Sequence, residues 1–512
     1  MTAPSRLVEV LLALCGIAVL LFATAHSIGL SPDSSAYIGA ARGLLQGVGL
    51  GRPLSEGHYS PLVFYAPLLP LLLAGIGLLG IDPQEGARWL NSVLFAGNIF
   101  MTGLIVKRAT GSTLCTWVAS SLLLISFPML EVHSMAWSEP TFLFFSLLAL
   151  LWLSRYTERG AAGDLVAAAI AVGFGVLSRY AGLALIGLGI AAISLGARHP
   201  YRHIVRDCAV FAAISGLISS VAFGRNWIVT GTLTDRPGVL HPAGLAPLQG
   251  GLRTILRWLW LDAGPRRLPL AVLTVGAAAL LLCGLAQRLQ PTRQGAPRDM
   301  TSAVIRTVLI FSVGYVLFVL VTISFVDASI SFDNRILSPV FVWALIGGVC
   351  GAQQWAADPR RGYWKRPLVV FSGMWFAVAQ LLHVVPWVID VHRNGQGYAT
   401  AEWRDSHIMA QVRALPQPAR IFSNGDDAIY LLSGRLAERI PERPAATAQQ
   451  KDRYEAELAR LKRQLSESNG AIVYFARIDW RPYLISAAEL QSRLRLRTLY
   501  AGDDGAVYTI QE

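Results

Sequence analysis

Apolar and polar positions segregate into long blocks along most of this chain. Runs of about twenty apolar residues, the length a helix needs to cross a bilayer, recur up to residue 390 with short polar stretches between them. The pattern predicts spans over 7–29, 87–106, 113–131, 139–156, 164–180, 181–196, 207–224, 268–287, 304–326, 336–357 and 367–390. The run 59–80 is also apolar, but Pro61, Pro67 and Pro70 disfavour a straight membrane helix there. It is expected to lie in or dip into the outer interface, which gives eleven spans, with twelve as the alternative. Ser178-Arg179-Tyr180 interrupts 164–196 and is expected to turn between two short helices.

Between the first two spans lies Gly29-Leu30-Ser31-Pro32-Asp33-Ser34-Ser35-Ala36-Tyr37. Ser31 is a good N-cap and Pro32 suits the first helical position, so Asp33 falls in the first turn of a short helix. Tyr37, Ala41, Leu44 and Leu45 form its apolar stripe, and Gly47 and Gly49 end it. A helix along the membrane surface holds the Asp33 carboxylate at the water–lipid boundary. Asp33 also has a purely structural reading, as an acid favouring the positive helix end.

After residue 390 the periods shorten. Arg420-Ile421-Phe422-Ser423 reads as a strand and Asp426 to Gly434 as a helix. Residues 447–468 read as a charged amphipathic helix with Tyr454, Leu458, Leu461 and Leu465 on one face, ended by Asn469-Gly470. Ala471 to Ala476 is a buried strand, and Asp504-Gly505 turns a terminal hairpin. The expected organisation is a membrane domain over 1–390 with an outer first loop at 30–86, and a small α/β domain over 391–512.

Composition agrees: 54% of the 512 residues are hydrophobic and 15% charged, too apolar for a water-soluble fold. The net charge of +12 does not point to nucleic acid. Of 44 basic and 32 acidic residues, 17 and 15 lie from residue 391 onward, so the excess belongs to the membrane part. There it sits mostly in short loops: Lys107-Arg108, Arg155 and Arg159, Arg198 to Arg206, Arg288 to Arg298, and Arg360 to Arg366. The positive-inside rule places these loops and the N-terminus in the cytoplasm and the tail outside, in a cell (inner or plasma) membrane. Cys15, Cys115, Cys208, Cys283 and Cys350 fall in or beside apolar spans, with no metal-ligand spacing.

This topology collects reactive groups on the outer face: Asp33, Glu56-Gly57-His58-Tyr59, the loop Glu131 to Glu139, Arg179, Arg225 and Arg335. Carboxylates there could activate a hydroxyl, and arginines could hold a phosphate. Each also has a structural reading: Glu139 beside Pro140 as a first-turn acid, Arg225 and Arg335 as snorkelling cations. Glu56 and His241 could make half of a metal site, so a divalent metal stays open. There is no nucleotide-phosphate loop, serine elbow or zinc motif.

The order of these segments resembles the GT-C-fold glycosyltransferases that use polyprenyl-phosphate sugars, the superfamily of the protein O-mannosyltransferases and the lipid A aminoarabinose transferase. Asp33 with Tyr37 resembles the family's first-loop motif, with Ser34 where many relatives have a second acid. His58-Tyr59-Ser60-Pro61-Leu62 resembles its proline-containing loop, Trp137-Ser138-Glu139-Pro140 its second acidic site, and Ser178 to Gly182 the following helix turn. Asn334-Arg335-Ile336-Leu337-Ser338-Pro339 resembles its late Arg-x-x-x-Pro motif.

The resemblance implies a polytopic GT-C-like fold and inverting transfer of a sugar from a polyprenyl-phosphate donor to a hydroxyl of a lipid, glycan or protein acceptor. Asp33 and Glu139 would be catalytic. Arg335, Arg179, Arg225, Tyr37, His58 and Tyr59 would bind donor phosphate and substrate. The tail, with nearly balanced charge and no clustered acid–base set, would shape acceptor access. The alternatives are a secondary transporter, whose charges would lie near the bilayer midplane, and a noncatalytic assembly subunit of the same fold.

Overall fold

A computed structural model describes residues 3–53, 59–196, 200–236, 238, 240–242, 244–259, 300–357, 364–444 and 448–511. The expected span 268–287 and the candidates Glu56 and His58 lie outside the described residues. The chain forms two compact units. One comprises Met1–Thr24, Val63–Leu71 and Ala87–His392, the other Ala25–Leu62, Leu72–Gly86 and Arg393–Glu512.

The first unit is helical, and the protein is a multi-pass membrane protein. Seven helices among the described residues are long and apolar enough to cross a bilayer: Arg6–Ala23, Pro83–Thr110, Glu139–Arg159, Tyr201–Thr230, Met300–Phe325, Asn334–Ala357 and Lys365–Asn394. The expected single span 113–131 is instead two helices, Thr113–Leu124 and Phe127–His133, bent by 56°. Pro128 lies in the first turn of the second piece and lacks the N–H that would continue the first. The Phe127 N–H freed at the break donates to Gln380 Oε1 at 2.9 Å, so that donor keeps a partner at the kink. The 59–80 run becomes a short strand, Tyr59–Pro61, and a helix, Leu68–Gly77. At 1.5 Å per residue that helix is about 15 Å long, half the hydrocarbon thickness. The break at Arg179 is as expected: Ala162–Ser178 ends, Arg179 is extended, and Leu183–Gly196 follows a single 3-10 turn.

The packed interior centres on Phe142, Phe311, Tyr315 and Trp343, whose rings meet largely edge-on. Trp343 lies 5.3 Å from Phe311 and 5.7 Å from Tyr315, centroid to centroid. On the opposite face of Met300–Phe325, Val313, Leu317 and Val321 are exposed at i, i+4 and i+8. A lipid-facing stripe needs that spacing.

The second unit holds the candidate Asp33 helix and a five-stranded sheet of order Glu438–Arg439, Ile421–Ser423, Ala471–Phe475, Gly505–Ile510 and Leu496–Gly502. The first three strands are parallel and the terminal hairpin pairs antiparallel. The Ala448–Glu467 helix buries Tyr454, Leu458, Leu461 and Leu465. Gly505, at φ +136°, makes the expected turn.

Helix Pro32–Leu45 starts as expected. The Ser31 hydroxyl accepts from the Ser34 N–H, and the Ser34 hydroxyl accepts from the Ser31 N–H at 3.0 Å, so each satisfies the other's orphan donor. Its buried face differs from the expected stripe. Tyr37 and Ala41 are buried, Leu44 is half-buried and Leu45 exposed. The difference arises because the helix packs through Gly39 and Gly43 against the strand Gly51–Pro53, which needs small residues rather than leucines.

Three charged side chains, Asp426, Asp427 and Arg481, lie buried in this unit around the N-terminus of the Asp426–Ser433 helix, with Arg52 half-buried and Arg439 exposed beside them. Asp426 pairs with Arg52 at 2.9 Å and Arg439 at 3.0 Å, and Asp427 with Arg481 at 2.7 Å. Burial opposes ionisation of Asp426, but Arg439 and Arg52 outweigh it and hold its carboxyl below the usual carboxylate range. A lowered folded-state value means its contribution to stability is present at neutral pH. That contribution is lost as pH falls through the lowered value.

A Cβ at Gly43 would sit 2.2 Å from the Gly51 carbonyl oxygen and 2.9 Å from that of Gly49. Backbone cannot yield as a flexible side chain can, so Gly43→Ala is expected to destabilise this unit by about 1–3 kcal/mol. Thermal unfolding in detergent checks it; an unchanged midpoint would mean the helix–strand contact is looser than described.

Candidate active site

The loop before the Glu139–Arg159 helix is fixed from behind. Asn91 donates to the Met135 carbonyl at 2.7 Å and to the His133 carbonyl at 3.2 Å. His133 is fully buried, with Nδ1 donating to the Met129 carbonyl at 2.7 Å and Nε2 accepting from Asn98 at 3.0 Å. Both ring nitrogens are therefore used in holding the loop. Asn91 and Asn98 stand seven residues apart, two turns along one face of an apolar helix. That polar stripe was the sequence signal for this support.

The loop delivers Glu139 into the bundle. Its side chain is 1% exposed, and Oε1 is paired with both Arg179 and Arg335. The other oxygen, Oε2, is buried and has no hydrogen-bond partner among the described residues. Each arginine arrives through a local device. The helix break at Arg179 leaves that residue extended, so its side chain is not locked into a helical row. Arg335 sits in the first turn of Asn334–Ala357, where the Asp333 carboxylate accepts from the Ile336 N–H at 2.9 Å. The Arg335 guanidinium also lies over the Trp137 ring, 4.5 Å from its centroid.

Beside Arg335, Asn334 donates to Glu131 Oε2 at 2.7 Å and accepts from Trp258 Nε1 at 2.8 Å. Asn334, Trp258, Arg257, His383, Gln380, Phe127 and Pro128 line a cavity of about 170 Å³. Arg257 and His383 are the groups that sequence reasoning did not select, and Glu131 entered it only as the start of the loop leading to Glu139. No motif marks them, because each comes from a different element.

The structure thus gathers Glu139, Arg179 and Arg335 at one point. Arg225 lies one residue from buried Asn226 and donates to its Oδ1 at 3.1 Å. Asn226 in turn donates to the Tyr180 hydroxyl at 2.9 Å, next to Arg179 in sequence. Asp33, Tyr37 and Tyr59 belong to the second unit, with Asp33 half-buried, Tyr37 buried and Tyr59 half-buried. His241 is exposed, and its backbone N–H donates to the Ser324 carbonyl at 2.6 Å. Among the described residues no three His, Cys, Asp or Glu side chains converge as a metal cage would require.

Chemically, one carboxylate holding two guanidiniums leaves a net positive charge, an arrangement suited to an incoming phosphate. Removing the carboxylate leaves two like cations in a dry environment. Glu139→Ala is expected to cost about 3–5 kcal/mol of stability, read as a lowered unfolding midpoint in detergent. A midpoint equal to that of the parent protein would mean water already screens the arginines.

Residues 69–202, which include Glu139 and Arg179, match the family of dolichyl-phosphate-mannose-protein mannosyltransferases. No curated protein sequence matches the chain. Among solved structures it is similar to ArnT from Cupriavidus metallidurans bound to undecaprenyl phosphate, at 13% identity, covering 99% of this chain and 98% of that one, with a TM-score of 0.63. It is also similar to the archaeal oligosaccharyltransferase AglB from Archaeoglobus fulgidus, in complex with an inhibitory peptide and a dolichol-phosphate. That match has 12% identity, 100% and 74% coverage, and a TM-score of 0.55. The arabinofuranosyltransferase AftD from Mycobacteria matches with 15% identity, 98% and 40% coverage, and a TM-score of 0.55. The chain therefore has the GT-C fold of these structures, and its residues 69–202 match the protein mannosyltransferase family.

Proposed function

We propose that this protein is an inverting membrane glycosyltransferase that moves a sugar from a polyprenyl-phosphate donor to an acceptor hydroxyl on the outer face of the membrane. The observation that carries this reading is the buried Glu139 carboxylate shared by Arg179 and Arg335 in a GT-C fold. Support also comes from the family match across Glu139 and Arg179, and from solved structures of like fold in complex with undecaprenyl phosphate and with a dolichol-phosphate.

In this reading the acceptor oxygen attacks the anomeric carbon from the side opposite the lipid phosphate. The bond from that carbon to the phosphate oxygen breaks, and the phosphate leaves with the electron pair. Asp33, in the first turn of a well-capped helix, takes the proton from the acceptor hydroxyl. Arg335 and Arg179 meet the charge that grows on the leaving phosphate, and Glu139 holds their guanidiniums together until it arrives. Glu139 acts here as a positioning residue for the arginines. Arg225, Tyr37, Tyr59 and His58 remain candidates for donor and acceptor contacts. The acceptor is a lipid, glycan or protein hydroxyl, and the N-terminus is cytoplasmic with the tail outside.

Purified protein incubated with a panel of polyprenyl-phosphate sugars should release polyprenyl phosphate when an acceptor is supplied. Asp33→Asn should abolish that release while leaving the fold intact, and near-normal turnover would reduce Asp33 to a helix cap. Arg335→Lys keeps the charge but loses the two-pronged grip. It should lower turnover by about 10²-fold, about 2.7 kcal/mol of transition-state stabilisation, with a smaller change in donor binding. Unchanged turnover would remove Arg335 from the site. Topology is checked by cysteine labelling: a cysteine at Lys462 should react from outside and one at Arg108 should not.

A further inference from the structure

The proposed base is carried on a helix that the C-terminal sheet domain grips at two points. Near its start, the Tyr398 N–H donates to the Leu30 carbonyl at 2.8 Å, and the Leu30 N–H donates to the Gln396 carbonyl at 3.3 Å. The contact is tight: Gly397 has φ +60°, and a Cβ there would lie 2.0 Å from the Leu30 carbonyl oxygen. The side chain of the same Tyr398 reaches the other way and donates to Asp427 Oδ2 at 3.0 Å. Asp427 is locked by Arg481, at 3.1 Å from Nη1 and 2.7 Å from Nη2.

The second grip is at mid-helix. The stem of Arg52 covers Gly39, where a Cβ would be 2.8 Å from Arg52 Cγ, and the Tyr430 ring closes the same spot at 3.3 Å. The head of Arg52 pairs with Asp426, which Arg439 holds from the other side. One turn on from Gly39, the Arg42 guanidinium lies over Tyr430, 5.7 Å from the ring centroid. The adjacent aspartates 426 and 427 are thus the fixed point, and Arg52 and Tyr398 are the two arms to the helix bearing Asp33.

We propose that Arg52, Tyr398 and the Asp426–Asp427 pair are positioning residues for the reaction, so that the C-terminal domain sets where the Asp33 carboxylate stands. This rests on the reading of Asp33 as the base. A general base misplaced by about an ångström loses much of its effect, so a slackened arm lowers turnover without touching the donor phosphate site.

The test uses the full-length protein in a cysteine-free background, with spin labels on Gln46→Cys and Lys462→Cys, both exposed positions within this unit. In the parent protein the distance distribution between the labels should be narrow. Arg52→Ala should broaden it and lower kcat about tenfold or more, with donor KM within about twofold. Arg52→Lys, which keeps the ion pair, should restore most of both. Tyr398→Phe removes only the hydroxyl arm and provides a milder second variant should Arg52→Ala fail to fold. A distribution unchanged in both variants would overturn the clamp. A broadened one with normal kcat would overturn the positioning role. Normal turnover in Asp33→Asn would instead remove the base reading, and the label distances would still report the clamp independently.

Discussion

A carboxylate does not stay charged in a dry helix bundle unless cations come to it. Glu139 meets that condition with two arginines on one oxygen, and much of the local architecture exists to bring them there. The loop before it is pinned by Asn91, Asn98 and His133, and Arg335 is pinned by the Asp333 cap. The helix break at Arg179 frees that side chain from a helical row. Each device costs regular structure, which a bundle tolerates only where something is gained by the resulting charge cluster. The cluster carries surplus positive charge, which suits an incoming anion, and leaves Glu139 Oε2, an acceptor, unsatisfied among the described residues, a poor choice for stability alone.

The second unit solves the same electrostatic problem within itself. Asp426 and Asp427 are both 1% exposed, and three arginines from separate strands and loops neutralise them. Here both oxygens of each carboxylate are taken, by arginines and by the Tyr398 hydroxyl, which suits a fixed joint rather than a binding site. The two clusters use one chemistry for different ends: cations outnumber acids by one in each, and the difference is that of their acids Glu139 alone has a buried oxygen without a partner among the described residues.

The local elements were readable in the residue pattern. Ser31 and Pro32 begin their helix as their chemistry demands, and Asn469, with φ +45°, ends the amphipathic one. The four apolar residues of that helix all face inward. Two readings needed correction. Hydropathy merged 113–131 into one span, because Phe127 and Pro128 are apolar and a hydropathy window does not register a missing N–H. The apolar stripe ending in Leu44 and Leu45 is not the face the helix buries. That face is a close approach, of Gly43 to the backbone of Gly49 and Gly51 and of Gly39 to the Arg52 side chain, which larger residues would block.

What the sequence determined by itself was whatever depends on neighbours a few residues away: spans, caps, breaks and the alternation of strands. Side-chain periodicity and backbone hydrogen bonding act over that range, so composition and order suffice. Which charges meet is a different matter. Arg335 and Glu139 are 196 residues apart, and Arg52 and Asp426 are 374 apart. Any of several arginines could have paired with either acid as far as the sequence goes. The choice was made by the packing of elements, since a buried ion pair forms only where both partners are lost from water at the same place.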